Sequence, residues 1–403
     1  MKFVYRGNVL NYHIKPLADE LYKILGEDFI FIMDAPVVEK RDAEHDRGDM
    51  TSDCPYALNM AESEVCRMKG QELIENCDVL FTLACYSKQF VERMKQNKIT
   101  IFYNERIFKP SFLKPYHPKV IANMLWYHKR FQRKRTYMFC ASAYLPGDFS
   151  VYGAYKNKLY KWGYFIKTDP ISWNELKKCK DHNQISIAWI GSLSSENSWK
   201  HLEKMIPVAQ KIKKLNIDAQ VHVIGEGDRK SYFEQLVKQN DLAEVMRLYG
   251  SVPNDKVREI LHEANIFVTT SDYEEGWGAV LNEAMNAGCA IVASHAAGST
   301  PYLIRDNQNG FIYDGVSDDG NLDMVNQVVE LCQNEQKRLD LGQTAYQDYT
   351  ARWTAENAAQ SLIAFCEQAM RNTSGIQIRV RDDGPCAIAP AIREGDMYSI
   401  IKK

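Results

Sequence analysis

The fold of this chain is decided by residues 271–288, which read SDYEEGWGAVLNEAMNAG. An apolar run at 266–270 precedes them and predicts a strand, and apolar residues at helical spacing follow the Gly-x-Gly turn. The glycines let a ligand approach the backbone, and a turn that opens a helix presents N–H groups to an anion. The alternative is a purely structural role, in which the glycine turn precedes a core helix and the two glutamates are solvated.

The same alternation of short apolar runs and amphipathic stretches extends in both directions from this segment. It predicts strands at 3–5, 28–33, 77–84, 99–103, 137–142, 186–190, 219–224, 246–249, 266–270 and 290–293. The intervening stretches predict helices at 16–25, 200–213, 231–240, 256–264, 278–287 and 353–370. Strands joined by crossovers of this length form parallel sheets.

The length supports more than one domain. We expect an α/β protein with two doubly wound Rossmann-like domains facing a cleft, the first at 1–168 and the second at 169–350. A C-terminal helix at 351–370 is expected to return to the first domain, and residues 371–403 form a tail that the sequence does not place.

Composition excludes several classes of protein. Lys and Arg total 50 against 52 Asp and Glu, a net charge of -2 that argues against a general nucleic-acid binder. No apolar run is long enough to span a bilayer, and the amino terminus has no secretory pattern, so we expect a cytoplasmic protein. The ten cysteines contain no CxxC pair, so no metal site is predicted.

The segment 271–288 contains two carboxylates on either side of its glycine turn and helix start. Glu275 and Glu283 have Glu-x7-Glu spacing, Gly276, Trp277 and Gly278 follow the first glutamate, and a strand pattern follows the helix. This string resembles the retaining glycosyltransferases of family 4, which have the GT-B fold. The resemblance is close over 185–315 and looser over 353–370.

The resemblance assigns roles to these positions. It implies that Glu275 contacts the sugar of a nucleotide diphosphate-sugar donor and that Glu283 binds the ribose. The amides at Trp277 and Gly278 would face the sugar and the diphosphate, and Gly276 belongs to the same turn.

A second segment, at the end of the strand 186–190, carries the diphosphate site of the family. Lys200 matches a family Lys that holds the diphosphate, and we expect it near the start of a helix, whereas Ser192, next to Gly191, stands where the family has an Arg. A missing Arg removes a bidentate phosphate clamp. Either another basic residue supplies the charge, or the site relies on Lys200 and helix dipoles. Read alone, Lys200 is typical of a solvated helix residue.

Other loops complete the donor side that the resemblance implies. The remaining donor-side candidates are Gly225, Gly227, Gly250, Val252 and Ser299. Each of them alone is an ordinary α/β loop residue.

The amino-terminal half resembles the family only in outline, as an acceptor domain. The loop after the fourth strand contains no His where family members often have one, and it carries Glu105 and Arg106 instead. These two residues can face the acceptor or form a surface salt bridge. His13, after the first strand, is a candidate catalytic residue with a structural role as the alternative.

Residues 109–135 contain eight basic residues, no acidic residue and five aromatic side chains, at Phe112, Tyr116, Trp126, Tyr127 and Phe131. This composition suits an anionic membrane surface or a lipid-linked acceptor. It also suits single-stranded nucleic acid, or a solvated helix with buried aromatics.

Together these features predict a retaining, hexosyltransferase-like glycosyltransferase of bacterial-type surface polysaccharide or glycolipid assembly, peripheral at the inner face of a membrane through 109–135. The predicted partners are the nucleotide-sugar donor and a lipid-linked or glycan acceptor, without nucleic acid. No cofactor is expected, since no Asp-x-Asp motif supports a metal-bound diphosphate. The alternatives are a catalytically impaired nucleotide-sugar-binding protein, for which Ser192 and the missing loop His are the main support, and a related phosphorylase.

Overall fold

The computed structural model describes residues 1–34, 54–84, 87–109, 113–168 and 170–402. The chain divides into two compact units. Unit 1 comprises Met1–Lys167 and Arg352–Glu394, and unit 2 comprises Thr168–Ala351 and Gly395–Lys403.

Unit 1 is built on a parallel sheet that has seven strands in the described part of the chain. They are β1 Phe3–Gly7, β2 Phe29–Met33, β3 Ala57–Asn59, β4 Val79–Leu83, β5 Ile99–Asn104, β6 Thr136–Cys140 and β7 Leu159–Lys161. Their order in the sheet is β3-β2-β1-β4-β5-β6-β7. The described helices are α1 Lys15–Leu25, α2 Glu64–Asn76, α3 Lys88–Lys95, α4 Pro118–Asn123, α5 Leu145–Ser150 and, from the carboxyl-terminal part, α14 Ala355–Arg371.

Unit 2 is built on a second parallel sheet, of six strands among the described residues. They are β8 Ile185–Ile190, β9 Ala219–Ile224, β10 Met246–Gly250, β11 Ile266–Thr269, β12 Ala290–Ser294 and β13 Phe311–Tyr313, in the order β10-β9-β8-β11-β12-β13. The helices are α6 Trp173–Cys179, α7 Met205–Lys214, α8 Lys230–Gln239, α9 Asn254–Glu263, α10 Val280–Asn286, α11 Thr300–Leu303, α12 Asp318–Gln333, α13 Glu335–Arg352 and α15 Glu394–Ile401. The prediction of two doubly wound Rossmann-like domains is therefore confirmed.

Strand composition explains why the sheets are buried on both faces. β4 and β12 are nearly continuous apolar runs, as parallel strands covered by helices require. In unit 1 the core is aromatic, and Phe81 stacks on Tyr103 with ring centroids 4.8 Å apart. Helix starts follow local capping rules. Ser172 forms a capping box at α6, and the Thr354 hydroxyl accepts the Asn357 amide at α14.

The short strands β3, β7 and β13 were not predicted, because three residues are too few to show a period. The helix predicted at 200–213 is wrong at its start, since α7 begins at Met205. His201 has a left-handed backbone, with φ of 50°, which separates the short 3₁₀ turns Ser195–Lys200 and Leu202–Lys204.

The carboxyl-terminal segment is part of both units. Helix α14 packs against α1 in unit 1. Beyond it, the Lys161 amide donates to Ala387 at 2.7 Å and the Ala389 amide donates to Leu159 at 2.9 Å. This segment therefore covers β7, the edge strand of the first sheet, whose backbone would otherwise be open to pairing with another chain.

Candidate functional site

The loops at the carboxyl edge of the second sheet touch one another directly. Because all six strands are parallel, the loops that follow them lie at one edge. The Gly225 amide donates to the Gly250 carbonyl at 3.0 Å. A Cβ on Gly225 would lie 1.8 Å from the Gly191 carbonyl oxygen, so only glycine lets the loops after β8 and β9 meet. Three of the predicted donor-side glycines are thus brought together.

Lys200 and Glu275 form an ion pair at this edge. The Lys200 Nζ contacts Oε2 of Glu275, and the Ser271 hydroxyl donates to the same oxygen at 3.2 Å. The two charged side chains are only 19% and 13% exposed. Among the described residues, nothing donates a hydrogen bond to the other oxygen, Oε1. The pair is shielded enough for its charges to act strongly on a ligand.

Lys200 is positioned by the strand beside it rather than by a helix. The Thr270 hydroxyl donates to the Lys200 carbonyl at 2.5 Å and accepts from Trp189 Nε1 at 2.8 Å. Trp189 is buried in β8. The expectation that Lys200 lies near a helix start is therefore wrong, because the left-handed His201 interrupts the backbone before Met205.

His201 is a charged residue that links two carboxylates, and the sequence analysis did not identify it. Its Nε2 lies 2.8 Å from Oδ2 of Asp272, and its Nδ1 lies 2.8 Å from Oε1 of Glu203. Ionised carboxylates only accept hydrogen bonds, so both ring nitrogens carry protons. The hydrogen bonds to Asp272 and then to Glu203 raise the pKa of His201 to about 9. The only feature of the sequence that could have pointed to His201 is its position next to Lys200.

The glycine turn packs against the loop that follows β12. The Gly298 amide donates to the Glu275 carbonyl at 3.2 Å, and the Ser299 amide donates to the Trp277 carbonyl at 3.1 Å. Gly278 has φ of 85°, and a Cβ there would lie 3.3 Å from Cγ of Glu275. The turn thus sets the position of the glutamate.

Two polar groups remain available at this turn. In the described part of the chain, no group accepts a hydrogen bond from the Gly278 amide, and the buried Ser299 hydroxyl has no hydrogen-bond partner. The backbone amide of Ser299 is used by Trp277, so the hydroxyl is the group that Ser299 can offer. The Trp277 indole is buried and donates to Asn282 at 3.0 Å, which is a core role.

The remaining donor-side residues lie nearby on the same unit. Glu283 is half-buried in the first turn of α10, between buried Asn282 and Ala284. The Ser192 hydroxyl accepts from the Ser194 amide at 3.2 Å and from Asn197 Nδ2 at 3.0 Å. These bonds give Ser192 a part in ordering its own loop.

The loops after β9 and β10 are joined by Glu226. Its Oε2 accepts the Ser251 amide at 3.3 Å and contacts Lys230 at 3.2 Å. Gly227 follows this residue, and Val252, which is half-buried, follows Ser251. The structure therefore places these predicted residues on neighbouring loops of one edge.

Unit 1 brings His13 and Glu105 together through a third residue. The Tyr164 hydroxyl donates to Oε1 of Glu105 at 2.7 Å, and the Tyr164 ring lies 5.9 Å from the His13 ring. Lys109 contacts the other oxygen of Glu105 at 3.1 Å. Tyr164 follows β7 and has no sequence signal beyond its aromatic character.

The Arg106 side chain is part of a buried cluster of charged and aromatic residues. Its guanidinium pairs with Glu394, lies 3.9 Å from Asp148 and stacks on the Tyr144 ring at 5.5 Å. Burial raises the pKa of Asp148 to about 6, against the opposing effect of Arg106. The arginine side chain is 9% exposed, which suits a structural role better than contact with an acceptor.

The described residues contain no helix that is both long and apolar enough to cross a membrane. They also contain no group of three or more His, Cys, Asp or Glu side chains placed to hold a metal ion.

Comparison with known proteins gives a match for the segment that carries the site. Residues 177–348 match the family described as Glycosyl transferases group 1. The phosphatidylinositol N-acetylglucosaminyltransferase GPI3 subunit of Saccharomyces cerevisiae is 30% identical over 134 residues, which are 33% of this chain and 28% of the relative. D-inositol 3-phosphate glycosyltransferase of Corynebacterium kroppenstedtii is 27% identical over 38% of this chain and 33% of the relative. The matches thus span about a third or less of these relatives.

Solved structures extend the likeness to the whole fold. Anabaena Alr3699/HepE in complex with UDP has a TM-score of 0.63 at 13% identity, over 91% of this chain and 100% of that one. The structure of WaaG, a glycosyltransferase involved in lipopolysaccharide biosynthesis, gives a TM-score of 0.58 at 14% identity, over 89% and 98%. The predicted GT-B fold class is confirmed.

Proposed function

We propose that this chain is a hexosyltransferase-like enzyme that moves a sugar from a nucleotide diphosphate-sugar to an acceptor with retention of anomeric configuration. The observation that carries the proposal is the shielded Lys200–Glu275 pair beside the Gly278 turn. It lies within the segment that matches the Glycosyl transferases group 1 family.

The donor chemistry follows from the groups at this turn. Cleavage of the sugar–phosphate bond places negative charge on the departing diphosphate. Lys200 Nζ, the Gly278 amide and the Ser299 hydroxyl are donors fixed by the fold, and donors fixed in advance stabilise such charge at low reorganisation cost. Binding of a diphosphate would draw the Lys200 ammonium partly away from Glu275.

Glu275 is proposed to orient the sugar rather than to attack it. Oε2 is occupied by Lys200 and Ser271, which leaves Oε1 to accept hydrogen bonds from sugar hydroxyls. Glu283 would accept the ribose hydroxyls of the nucleotide. Retention would follow from attack on the same face as the leaving group, with the leaving phosphate accepting the proton of the acceptor hydroxyl. This scheme needs no enzymatic nucleophile and no cofactor.

The acceptor side is assigned to unit 1. His13 and Glu105, linked by Tyr164, offer groups that can bind a hydroxyl or take up its proton. The names of two relatives contain phosphatidylinositol and D-inositol 3-phosphate. We therefore favour a glycan or lipid-linked acceptor of surface polysaccharide or glycolipid assembly, without nucleic acid.

Membrane contact at the inner, cytoplasmic face is proposed for the described part of the basic segment, residues 113–135. Residues 110–112, within the predicted 109–135, lie outside the described residues. Leu113, Leu125 and Trp126 are 80%, 43% and 57% exposed, whereas Met124 and His128 are buried. Arg130 stacks on Trp126 at 4.2 Å. Apolar side chains among basic ones suit the interface of an anionic bilayer.

Vesicle sedimentation tests the membrane contact. Wild-type protein should bind vesicles that contain anionic lipid and lose binding as salt screens the charges. Trp126→Ala should weaken binding, and Val65→Ala should not, although Val65 is 75% exposed on α2 of the same unit. Equal binding of Trp126→Ala and wild-type protein would contradict the proposal.

A screen of nucleotide sugars by thermal shift tests the donor. A ligand that binds the folded state raises the melting temperature. The correct donor should do so, and Glu283→Ala should require a higher concentration for the same rise. No response to any nucleotide sugar would contradict the proposal.

The second candidate is a nucleotide-sugar-binding protein without transfer activity, favoured by Ser192 in the place of the family Arg. Donor hydrolysis or transfer, measured beside donor binding, separates the two. Phosphate-dependent release of a sugar phosphate would instead indicate a phosphorylase.

A further inference from the structure

The last helix of the chain, α15, is anchored to unit 2. Met397 on this helix is 1% exposed. Lys402, which follows it, pairs with Asp306 at 2.7 Å and donates to the Ile312 carbonyl at 3.0 Å. The Asp306 side chain is 7% exposed, so water competes weakly for this ion pair. These contacts fix α15 beside β13.

The helix presents an aromatic ring to a buried histidine. The Tyr398 ring lies 5.0 Å from the imidazole of His295, at an interplanar angle of 52°. His295 is the first residue after β12 and is 2% exposed. Tyr398 therefore lies against a polar ring that is shielded from solvent.

The contacts of His295 indicate which ring nitrogen carries the proton. Its Nδ1 accepts the Gly315 amide at 3.1 Å and lies 3.5 Å from Oδ1 of Asp314, and the accepted hydrogen bond assigns the proton to Nε2. Nε2 lies 2.6 Å from the hydroxyl of Tyr273 and donates to it. The imidazole thus connects the backbone after β13 to the segment after β11.

Tyr273 belongs to the short segment that carries Glu275. Asp272 organises this segment, since its carbonyl accepts the Glu275 amide at 3.1 Å and its Oδ1 accepts the Glu274 amide at 2.8 Å. Tyr273 lies between Asp272 and Glu274, so its hydrogen bond to His295 holds the middle of this segment. We expect this bond, together with the glycine turn, to contribute to the position of Glu275.

We propose that α15 is a positioning element of the donor site, in which Tyr398 holds His295 and His295 holds the segment that carries Glu275. Tyr398, His295 and Tyr273 are positioning residues, because none of them is assigned a contact with the donor. The effect on transfer rests on the proposed function, whereas the effect on the order of the segment does not.

Hydrogen exchange in Tyr398→Ala tests this proposal. Without the ring, water reaches His295 and competes for the Nε2 proton. The Glu274 and Glu275 amides should then exchange faster, by up to about tenfold, as expected for a weakened buried hydrogen bond. Ile400→Ala is the matched control, since Ile400 is 43% exposed on the same helix, and it should leave exchange unchanged.

A kinetic readout separates positioning from general stability. Tyr398→Ala should lower kcat/KM for the donor about tenfold, below the ~100-fold that a misplacement of about 1 Å can cause. Tyr398→Phe keeps the ring and removes only the hydroxyl, which is hydrogen-bonded to the Asp314 backbone, so it should restore most of both exchange and kcat/KM. Lys402→Met, which releases the end of α15 without removing the ring, should give a smaller change in the same direction.

Unchanged exchange at Glu274 and Glu275 in both Tyr398→Ala and Lys402→Met would overturn the proposal. Failure of Tyr398→Phe to restore exchange would also overturn it, because the ring is the group to which the effect is assigned. Faster exchange in Tyr398→Ala together with a wild-type protein that transfers no sugar would support the positioning role and contradict the proposed function.

Discussion

Removal of the His201 imidazole, which links Asp272 and Glu203, should change how the free energy of unfolding depends on pH. His201→Asn is the suitable substitution, because Asn tolerates the left-handed backbone at this position and does not titrate. The variant loses the hydrogen bonds that His201 makes to Asp272 and Glu203. Its effect can therefore be separated from backbone strain.

The magnitude follows from the pKa of His201, which the two carboxylates raise from 6.5 to about 9. A tenfold change in a protonation equilibrium is worth about 1.4 kcal/mol, so the full difference corresponds to roughly 3 kcal/mol. The side chain is 28% exposed, and solvent screening reduces the expected value to roughly 2 kcal/mol. Because the pKa is raised on folding, this stability is complete below pH 6.5 and is lost as pH rises through 9.

Urea unfolding of wild-type protein and His201→Asn at pH 6, 7.5, 9 and 10 measures the effect, followed on the transition of unit 2. The difference in unfolding free energy should be largest at pH 6 and should shrink by roughly 2 kcal/mol by pH 10. His222→Asn is the control, because burial lowers the pKa of His222 and its substitution should act below pH 6.5. A difference that is constant with pH, or that grows as pH rises, would refute the reasoning.

Two further substitutions test contacts that stabilise unit 2. Gly278→Ala should cost about 1–2 kcal/mol in urea unfolding, because φ is 85° there and the new Cβ meets Glu275; an unchanged midpoint would contradict this. Lys180→Met should cost roughly 2–4 kcal/mol, because the buried ammonium donates to the carbonyls of Ala264 at 2.6 Å and His262 at 3.0 Å. A loss below about 0.5 kcal/mol would show that these carbonyls find other partners.

Local patterns were sufficient to predict the main elements of both sheets. Strands such as β4 and β12 are nearly continuous apolar runs, a pattern that is visible without knowledge of distant contacts. The glycine turn and its two glutamates could be predicted as a site because these residues lie close together in the sequence. Contacts between residues far apart in the sequence could not be predicted. An example is the pair Tyr398 and His295, whose ring centroids lie 5.0 Å apart.

The errors have physical causes. The start of α7 was misplaced because the side-chain pattern from Lys200 onward is helical, while the backbone at His201 is held in the left-handed region. The covering of β7 by residues near Ala387 depends on backbone hydrogen bonds, which leave no mark on side-chain composition.

The central claim is that Glu275 orients a nucleotide sugar for transfer. The most direct measurement is transfer of labelled sugar from the donor found by thermal shift, with Glu275→Ala and Glu274→Ala assayed in parallel. The two substitutions remove the same charge from adjacent positions, and both side chains are half-buried. We predict that Glu275→Ala abolishes transfer while Glu274→Ala retains it. Transfer by Glu275→Ala at the wild-type rate would contradict the account.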